Sequence, residues 1–457
     1  MLPLYITVMK KIPAAYTQKF FYHFTHIDNL ESILQHGLLC TNEKTASGIN
    51  HANVALAEIQ QRRSKMQVSC GPQGNVHDYV PFYLCQRNPM FLHILNTKNI
   101  DMCDIIFLTI DISRITENDV VFCNASANTD MPPDFFSDPK DLDQLDWTAI
   151  DANSWSPKDD DERHRRMAEV LIYKKVEVDE ITKIFVCNDR AKTKVLEIFS
   201  KTQRKAPNIS MANSRNGENF YYTKFMLNRN SEPLITGPKG LRARYHTAVK
   251  TILQERTHNT EREYKFKNIA DCLKKLSKNF SAIKELDDIY GLKTDNLMHR
   301  ETVSDHTLNV VRELEKLDYF KKASRSVQEV LKLSAYLHDI GKGPKSMWKD
   351  GIQKVYPDHP ADGPKMLTRI LVEDFEELTD YEIRMICLLV TYHDLIGEII
   401  EKGRDIQQLI HIIENQHDLE MLETLNYADV SAINKTWAHN FKSNVKKIRS
   451  EALKKFI

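Results

Sequence analysis

Four segments of the second half of the chain set a histidine or an aspartate into an otherwise apolar helical stripe. In the helix leading into AYLHDIGKG (335–343), Val327, Leu331, Ser334 and His338 fall at i, i+4, i+7 and i+11, so His338 is expected to point into the core. Gly341 then offers a left-handed cap, leaving Asp339 and Lys342 at the mouth of the helix. In DHTLNVVRELEKL, His306 shares a face with Val310, Leu314 and Leu317; His393 lies below Ile386, Leu389 and Val390; Asp429 falls on the stripe of Leu422 and Leu425. One polar residue on such a stripe is ordinarily a hydrogen-bonded core residue. Four of them change the reading, because burying them separately costs a few kcal/mol each, roughly, unless they share a partner. A divalent cation satisfies them all at once. His306, His338, Asp339 and Asp429 offer nitrogen and oxygen without a thiolate, which suits manganese, iron, magnesium or zinc. His359, in PDHPADGPKM, could join His393 in holding a second ion. One or two such metals would polarise a phosphoryl group and bring the pKa of water down to about 7.

The elements that must position these groups divide the chain in two. A length of 457 residues exceeds one ordinary core and predicts two folding units. The first half alternates β-rich runs such as DIIFLTIDI (104–112) and AEVLIYKKVEV (168–178) with short helical patterns, which predicts an α+β fold. From about residue 262 onward three- and four-residue spacing dominates, which predicts an all-helical second unit. The stretch between is basic and rich in turn-formers, and it reads as a solvated connector over 224–260. Sixty-three basic residues balance 63 acidic ones, so net charge does not by itself announce a nucleic-acid binder. The eight cysteines form no C-x-x-C pair, which fits reduced thiols in a cytoplasmic protein. MLPLYITVMKKIPAAY is interrupted too early by lysines and proline for a leader, and no stretch suits a membrane span.

In the first half, FYHFTHIDNLESILQHGLL reads as a strand turning into a helix, with Asp28 as N-cap, Glu31 three residues later, and Gly37 closing the end. His23 and Thr25 alternate with Tyr22 and Phe24 and are placed to face a cleft. In RMAEVLIY, Glu169 shares a strand face with Leu171 and Tyr173, and a carboxylate in that company needs a partner or a task. Upstream, SPKDDDERHRRM supplies Arg163, Arg165 and Arg166, which would suit a phosphate backbone.

These motifs carry two resemblances. The pattern H…HD…D over roughly residues 290–440 resembles the HD superfamily of metal-dependent phosphohydrolases. LSAYLHDIGKG, HPADGPKM, LVTYHDLIG and LNYADVSAINKTW are similar to the HD domain of the bacterial uridylyltransferase/uridylyl-removing enzyme. The resemblance implies His306, His338, Asp339 and Asp429 as ligands of a first metal, His359 and His393 at a second, and Lys342 near substrate phosphate, with hydrolysis of a phosphoester or phosphoanhydride as the reaction. FYHFTH, HANVALAEIQQRRSKM, GNVHDYVPFYLCQRNPM and RMAEVLIY resemble the DarT-type ADP-ribosyltransferases, which transfer ADP-ribose from NAD to a base of single-stranded DNA. That resemblance implies NAD contacts from His23 and Thr25, Glu169 as the catalytic glutamate, a catalytic arginine at Arg62 or Arg63, and Tyr79 stacked on the nicotinamide.

The expectation is a multidomain chain: a transferase domain over 1–223, the basic linker 224–260, and an HD domain over 261–457. It would modify a base in nucleic acid, most readily single-stranded DNA, in a toxin or phage-defence setting, while the HD half restrains or regulates it. The rival reading has RNA or protein as acceptor, with the HD half a nucleotide-sensing or purely structural metal-binding module. The HD half would take a nucleotide or other small molecule. The base, the HD substrate, the metal's identity and the oligomeric state stay open.

Overall fold

The computed structural model describes residues 10–52, 57–128, 132–154, 157–257, 263–295 and 301–456. The amino-terminal leader question falls partly on residues 1–9, outside the described residues. The chain divides into two compact units, one built chiefly of residues up to Lys224 and the other chiefly of Leu234 to the carboxy terminus. No helix among the described residues is long and apolar enough to cross a membrane.

The first unit is built on an eight-stranded mixed sheet. Its strands are β1 (Phe20–His26), β2 (Tyr79–Tyr83), β3 (Ile105–Asp111), β4 (Val120–Cys123), β5 (Phe135–Phe136), β6 (Glu169–Tyr173), β7 (Lys183–Val186) and β8 (Asn208–Met211). They lie in the order β8-β7-β3-β1-β2-β6-β4-β5. Only β7 and β8 pair in parallel. Alternation along β6 divides the side chains between two cores: Val170 and Ile172 pack with Phe82, Ile106 and Leu108, while Leu171 packs with Tyr79, Val121 and Cys123. Glu169 opens β6 opposite Tyr83 on one neighbour and Cys123 on the other.

After β1 a single 3₁₀ turn, Ile27–Asn29, leads into the helix Leu30–His36. Asp28 is therefore not its N-cap. The imidazole of His26 accepts the Asp28 amide, and the Asp28 carboxylate turns outward to Lys194. The helix ends as expected at Gly37, whose φ of +82° suits a residue without Cβ and whose amide donates to the Ile33 carbonyl.

The second unit is helical. Its relevant helices are Val303–Lys316, Arg325–Leu337, His359–Arg369, Asp380–Tyr392 and Gln416–Ile433, packed around one core that includes Val310, Leu331, Leu367, Ile386 and Leu425. The stretch read from sequence as a connector contributes to that core. Pro238–Thr257 is a helix whose Leu241, Tyr245, Ala248 and Ile252 are buried at i, i+4, i+7 and i+11. A basic, acid-poor composition hid this stripe; of its charges Arg242 and Lys250 are exposed, while Arg244 and Arg256 bond to the carbonyls of Ala361 and of Leu371 and Phe375.

Two further facts place His359. Asp358 accepts the amide (2.6 Å) and hydroxyl (2.8 Å) of Thr236, while Asp362 receives both terminal nitrogens of Arg229 (2.9 and 2.6 Å) and the Tyr356 hydroxyl (2.5 Å). The helix end carrying His359 is thereby pinned by Arg229 and Thr236. The turn after His338 also departs from expectation. The helix stops at Leu337, a 3₁₀ turn Ile340–Lys342 follows, and Gly341 is not left-handed. Space is the reason for glycine there: an added Cβ would meet the His359 carbonyl oxygen at 2.0 Å.

Candidate active sites

In the first unit, Glu169 is fully buried and Arg63 nearly so. Their contact is bidentate: Arg63 Nη1 and Nη2 donate to Glu169 Oε1 and Oε2, both at 2.9 Å. The Ala127 amide donates to Oε1 at 3.0 Å. Burial disfavours a charged Arg63, but Glu169 overrides it and raises the guanidinium pKa above its ordinary value. Arg63 ends the helix Ala57–Arg63, and its neighbour Arg62 points to solvent. Helix phase thus turns Arg63, and not Arg62, toward Glu169.

Arg63 also lines a cavity of about 260 Å³ with His23, Thr25, Tyr79 and Tyr83. Glu169 sits behind Arg63 and is not itself among the lining residues. His23 Nδ1 lies 2.8 Å from the Pro81 carbonyl, which fixes Nδ1 as the donor and leaves Nε2 free of a proton. Burial holds this imidazole down at about 4. Thr25 Oγ1 accepts from Asn29 Nδ2 at 3.0 Å, and Asn29 also binds both the amide and the carbonyl of Ala52. Tyr79 is buried, donates its hydroxyl to the Gln73 carbonyl, and meets Tyr173 edge-on.

Sequence reasoning missed Asn29, Lys44, His51 and His77, all of which line this cavity. None lies in a periodic pattern, although Asn29 stands beside the residue taken for the cap. The arginines of SPKDDDERHRRM are not presented as a phosphate-binding row. Arg166 is fully buried and bound to Ser154 and Glu162, and Arg165 is paired with Asp146 and Asp161. Asp160, Asp161 and Glu162 in the first turn of the short helix Asp160–Arg166, with Asp146, pair with Arg163, Arg165 and Arg166 and take up their charge locally.

In the second unit, His306, His338, Asp339, His359, His393 and Asp429 converge from five helices and the turns that end them. His306 Nε2 lies 2.9 Å from Asp429 Oδ1, and His338 Nε2 is 3.3 Å from Asp339 Oδ2. His359 Nε2 lies 3.2 Å from Asp339 Oδ1 and 3.0 Å from His393 Nε2. Asp339 is shared by two candidate ligand groups, His306/His338/Asp339 and Asp339/His359/His393. A third, His393/Asp394/Asp429, adds Asp394 to the site.

The tautomers follow from the backbone. Nδ1 of His338, His359 and His393 faces the carbonyls of Ala335, Tyr356 and Val390 at 2.8, 2.9 and 2.8 Å. A carbonyl only accepts, so each Nδ1 carries the proton and each Nε2 presents a lone pair when neutral. With both rings neutral, two such lone pairs stand 3.0 Å apart at His359 and His393, and His338 Nε2 is buried without a hydrogen-bond partner among the described residues. Both arrangements call for a cation, and backbone-oriented imidazoles beside carboxylates are how proteins hold one. Burial opposes ionisation of Asp339, yet His338 and Lys342 hold its carboxyl well below the usual range. Lys342 Nζ donates to Asp339 Oδ2 at 2.6 Å. It opens with His306, Asp394 and Asp429 onto a cavity of about 240 Å³.

With both geometries described, the comparisons fall into place. Residues 22–222 match the family model of the ssDNA thymidine ADP-ribosyltransferase DarT, and residues 303–435 match that of the HD domain. A DNA ADP-ribosyl transferase of Thermus sp. (strain 2.9) is 34% identical over 184 residues, 39% of this chain and 87% of that protein. The solved Thermus sp. 2.9 DarT in complex with ADP-ribosylated ssDNA is 31% identical, with 47% of this chain and 100% of that one covered at a TM-score of 0.41. That protein has also been solved in complex with NAD+. A bifunctional uridylyltransferase/uridylyl-removing enzyme of Pseudomonas savastanoi pv. phaseolicola (strain 1448A / Race 6) is 28% identical over 178 residues, 35% of this chain but 18% of that protein. The two family matches and the Thermus relative's sequence identity define a two-part enzyme, a transferase joined to an HD domain of the metal-dependent phosphohydrolase kind. The chain belongs to the DarT family of DNA ADP-ribosyl transferases.

Two predictions follow from the buried charges. Arg63→Ala strips the fully buried Glu169 of its bidentate partner, and should destabilise the first unit by about 3–5 kcal/mol in urea unfolding. Arg62→Ala should stay within about 0.5 kcal/mol of the parent. For His23, the folded pKa of about 4 lies below the unfolded value near 6.5. The unfolded state therefore binds the extra proton between those values, and stability is lost as pH falls through that window. The stability difference between parent and His23→Gln should shrink by about 2 kcal/mol between pH 7 and pH 4.5.

Proposed function

We propose that the cavity bounded by His23, Thr25, Tyr79 and Arg63 binds NAD, and that the first unit transfers ADP-ribose to a base of single-stranded DNA. The observation that carries the reading is the fully buried Glu169, held bidentately by an arginine that itself lines the cavity. Breaking the nicotinamide glycosidic bond develops positive charge on the ribose, and a carboxylate aimed at that sugar stabilises the transition state more than the ground state. In the resting enzyme Arg63 fixes the orientation of that carboxylate behind the cavity wall, so Glu169 meets the sugar only when the pair opens to NAD. Departure of nicotinamide then leaves the ribose carbon open to a base nitrogen, which loses its proton as the new glycosidic bond forms. His23 and Thr25 orient the dinucleotide, and Tyr79 forms a wall for the nicotinamide. An ADP-ribosyl group on a template base obstructs copying, which suits a toxin or phage-defence role.

In the HD half, His306, His338, Asp339 and Asp429 would hold one divalent metal, and His359 and His393 would share Asp339 in holding a second. Such ions supply Lewis acidity toward a phosphoryl oxygen and an acidified water. Lys342, already beside Asp339, meets the substrate phosphate. The chemistry is hydrolysis of a phosphoanhydride, and the pyrophosphate of ADP-ribose on the modified base is the substrate that makes this half a restraint on the first. Water adds to phosphorus, the P–O–P bond breaks, and AMP leaves a phosphoribosyl remnant on the base.

One set of assays tests both parts. With radiolabelled NAD, transfer is expected to single-stranded DNA, not to RNA or protein, and Glu169→Ala should lower it at least about 100-fold. Label appearing on RNA or protein instead would replace the acceptor; undiminished transfer by Glu169→Ala would remove the mechanism. The purified ADP-ribosylated oligonucleotide is then given to the full-length Glu169→Ala chain with manganese. The expected product is lighter by the mass of AMP less one water, and His338→Ala and Asp339→Ala should both abolish its formation and the bound metal. An unchanged mass would exclude direct reversal.

A further inference from the structure

The first-unit cavity is lined, among the described residues, by two permanent cations, Lys44 and Arg63, and by no carboxylate. Arg63 is already neutralised by Glu169. Lys44, in the short helix Thr41–Ala46, is half-buried and has no ion-pair or hydrogen-bond partner for its ammonium among the described residues. It borders both this cavity and an adjoining one of about 50 Å³ that shares His23, Thr25, Asn29 and His51 with it.

An ammonium drawn partly out of water without a counter-ion is unfavourable, and the cost is recovered only if an anion arrives. The surroundings show the imbalance. Burial lowers the Lys44 pKa, and Lys44 adds to the burial that keeps His23, His51 and His77 neutral. The imidazoles cannot stand in for a counter-charge. The space is a concavity of small-molecule size, so the anion that fits is a phosphate of a small ligand in preference to a polymer backbone.

We infer that Lys44 anchors the pyrophosphate of the dinucleotide in this cavity. The inference rests on the NAD-binding reading above and adds the residue that recognises the ligand's charge. His23 and Thr25 lie on β1 at one side of the same space, and Lys44 supplies the cation that they lack. The short helix carrying it is held by the Cys40 thiol, which accepts the Glu43 amide, and by Asn42, which donates to Asp78 at 2.7 Å. Removing the Lys44 ammonium therefore takes away charge without breaking a contact of the helix.

The full-length chain is titrated calorimetrically with ADP-ribose, which has the pyrophosphate, and with adenosine, which has none. Lys44→Ala should weaken ADP-ribose about 10- to 100-fold, as expected for one charge-assisted contact, with adenosine unchanged and Lys44→Arg within a few-fold of the parent. In the transfer assay KM for NAD should rise in the same proportion while kcat changes less than about three-fold. Melting temperatures and single-stranded DNA binding should match the parent. Equal ADP-ribose affinity in parent and Lys44→Ala would overturn the assignment while leaving the NAD reading standing. A loss confined to DNA binding would overturn it by moving Lys44 to the acceptor strand. A parent chain that binds neither ADP-ribose nor NAD would remove the underlying reading and this one with it.

Discussion

A carboxylate taken out of water has to be met by positive charge or by directed hydrogen bonds, and that constraint organises both halves of this protein. Glu169 and Asp339 are each at or near zero exposure. Around Glu169 the answer is one guanidinium with matching bidentate geometry, backed by a backbone amide. Around Asp339 it is a ring of imidazoles and one ammonium. The difference in partner sets the difference in chemistry. An arginine fixes one carboxylate by two parallel hydrogen bonds, whereas imidazoles turned Nε2-first toward the other form with it a candidate ligand group for a metal ion.

The scaffolds serve those arrangements differently. In the first unit the precision comes from β-pairing, since Glu169 opens β6 between Tyr83 and Cys123 and its side-chain direction is set by strand alternation. In the second it comes from helix ends. His338 and His393 each lie one residue past a helix, and His359 opens one, so a nearby carbonyl is free to take each Nδ1 proton. The close approach of Gly341 to the His359 carbonyl, and the grip of Arg229 and Thr236 on Asp362 and Asp358, hold one such helix end in place.

Joining a transferase of the DarT family to an HD domain places two unlike chemistries on one polypeptide. One acts at a glycosidic carbon; the other is the chemistry of a metal-dependent phosphohydrolase domain. On the function proposed above, the first chemistry makes a product that still contains a phosphoanhydride, which the second would hydrolyse. That chemical continuity is the reason to read the two halves as acting on one material.

Much was legible in the chain. Apolar periodicity placed His306, His338, His393 and Asp429 on inward stripes, because buried helices repeat at 3.6 residues whatever they pack against. Strand alternation put Glu169 on the face of Leu171, as found. What stayed illegible depended on neighbours distant in sequence. Helix phase buries Arg63 and exposes Arg62; a carbonyl from another helix, not backbone handedness, requires Gly341; and the arginines near 163 are consumed by local acids. The basic stretch before residue 258 concealed a core helix because two of its arginines, Arg244 and Arg256, find carbonyl partners that only the fold supplies. Local pattern determined which side chains turn inward. Only the folded chain decided which of them meet, since a shared partner such as Asp339, or a cavity walled by Lys44 and His23 together, exists only after segments far apart in sequence are brought side by side.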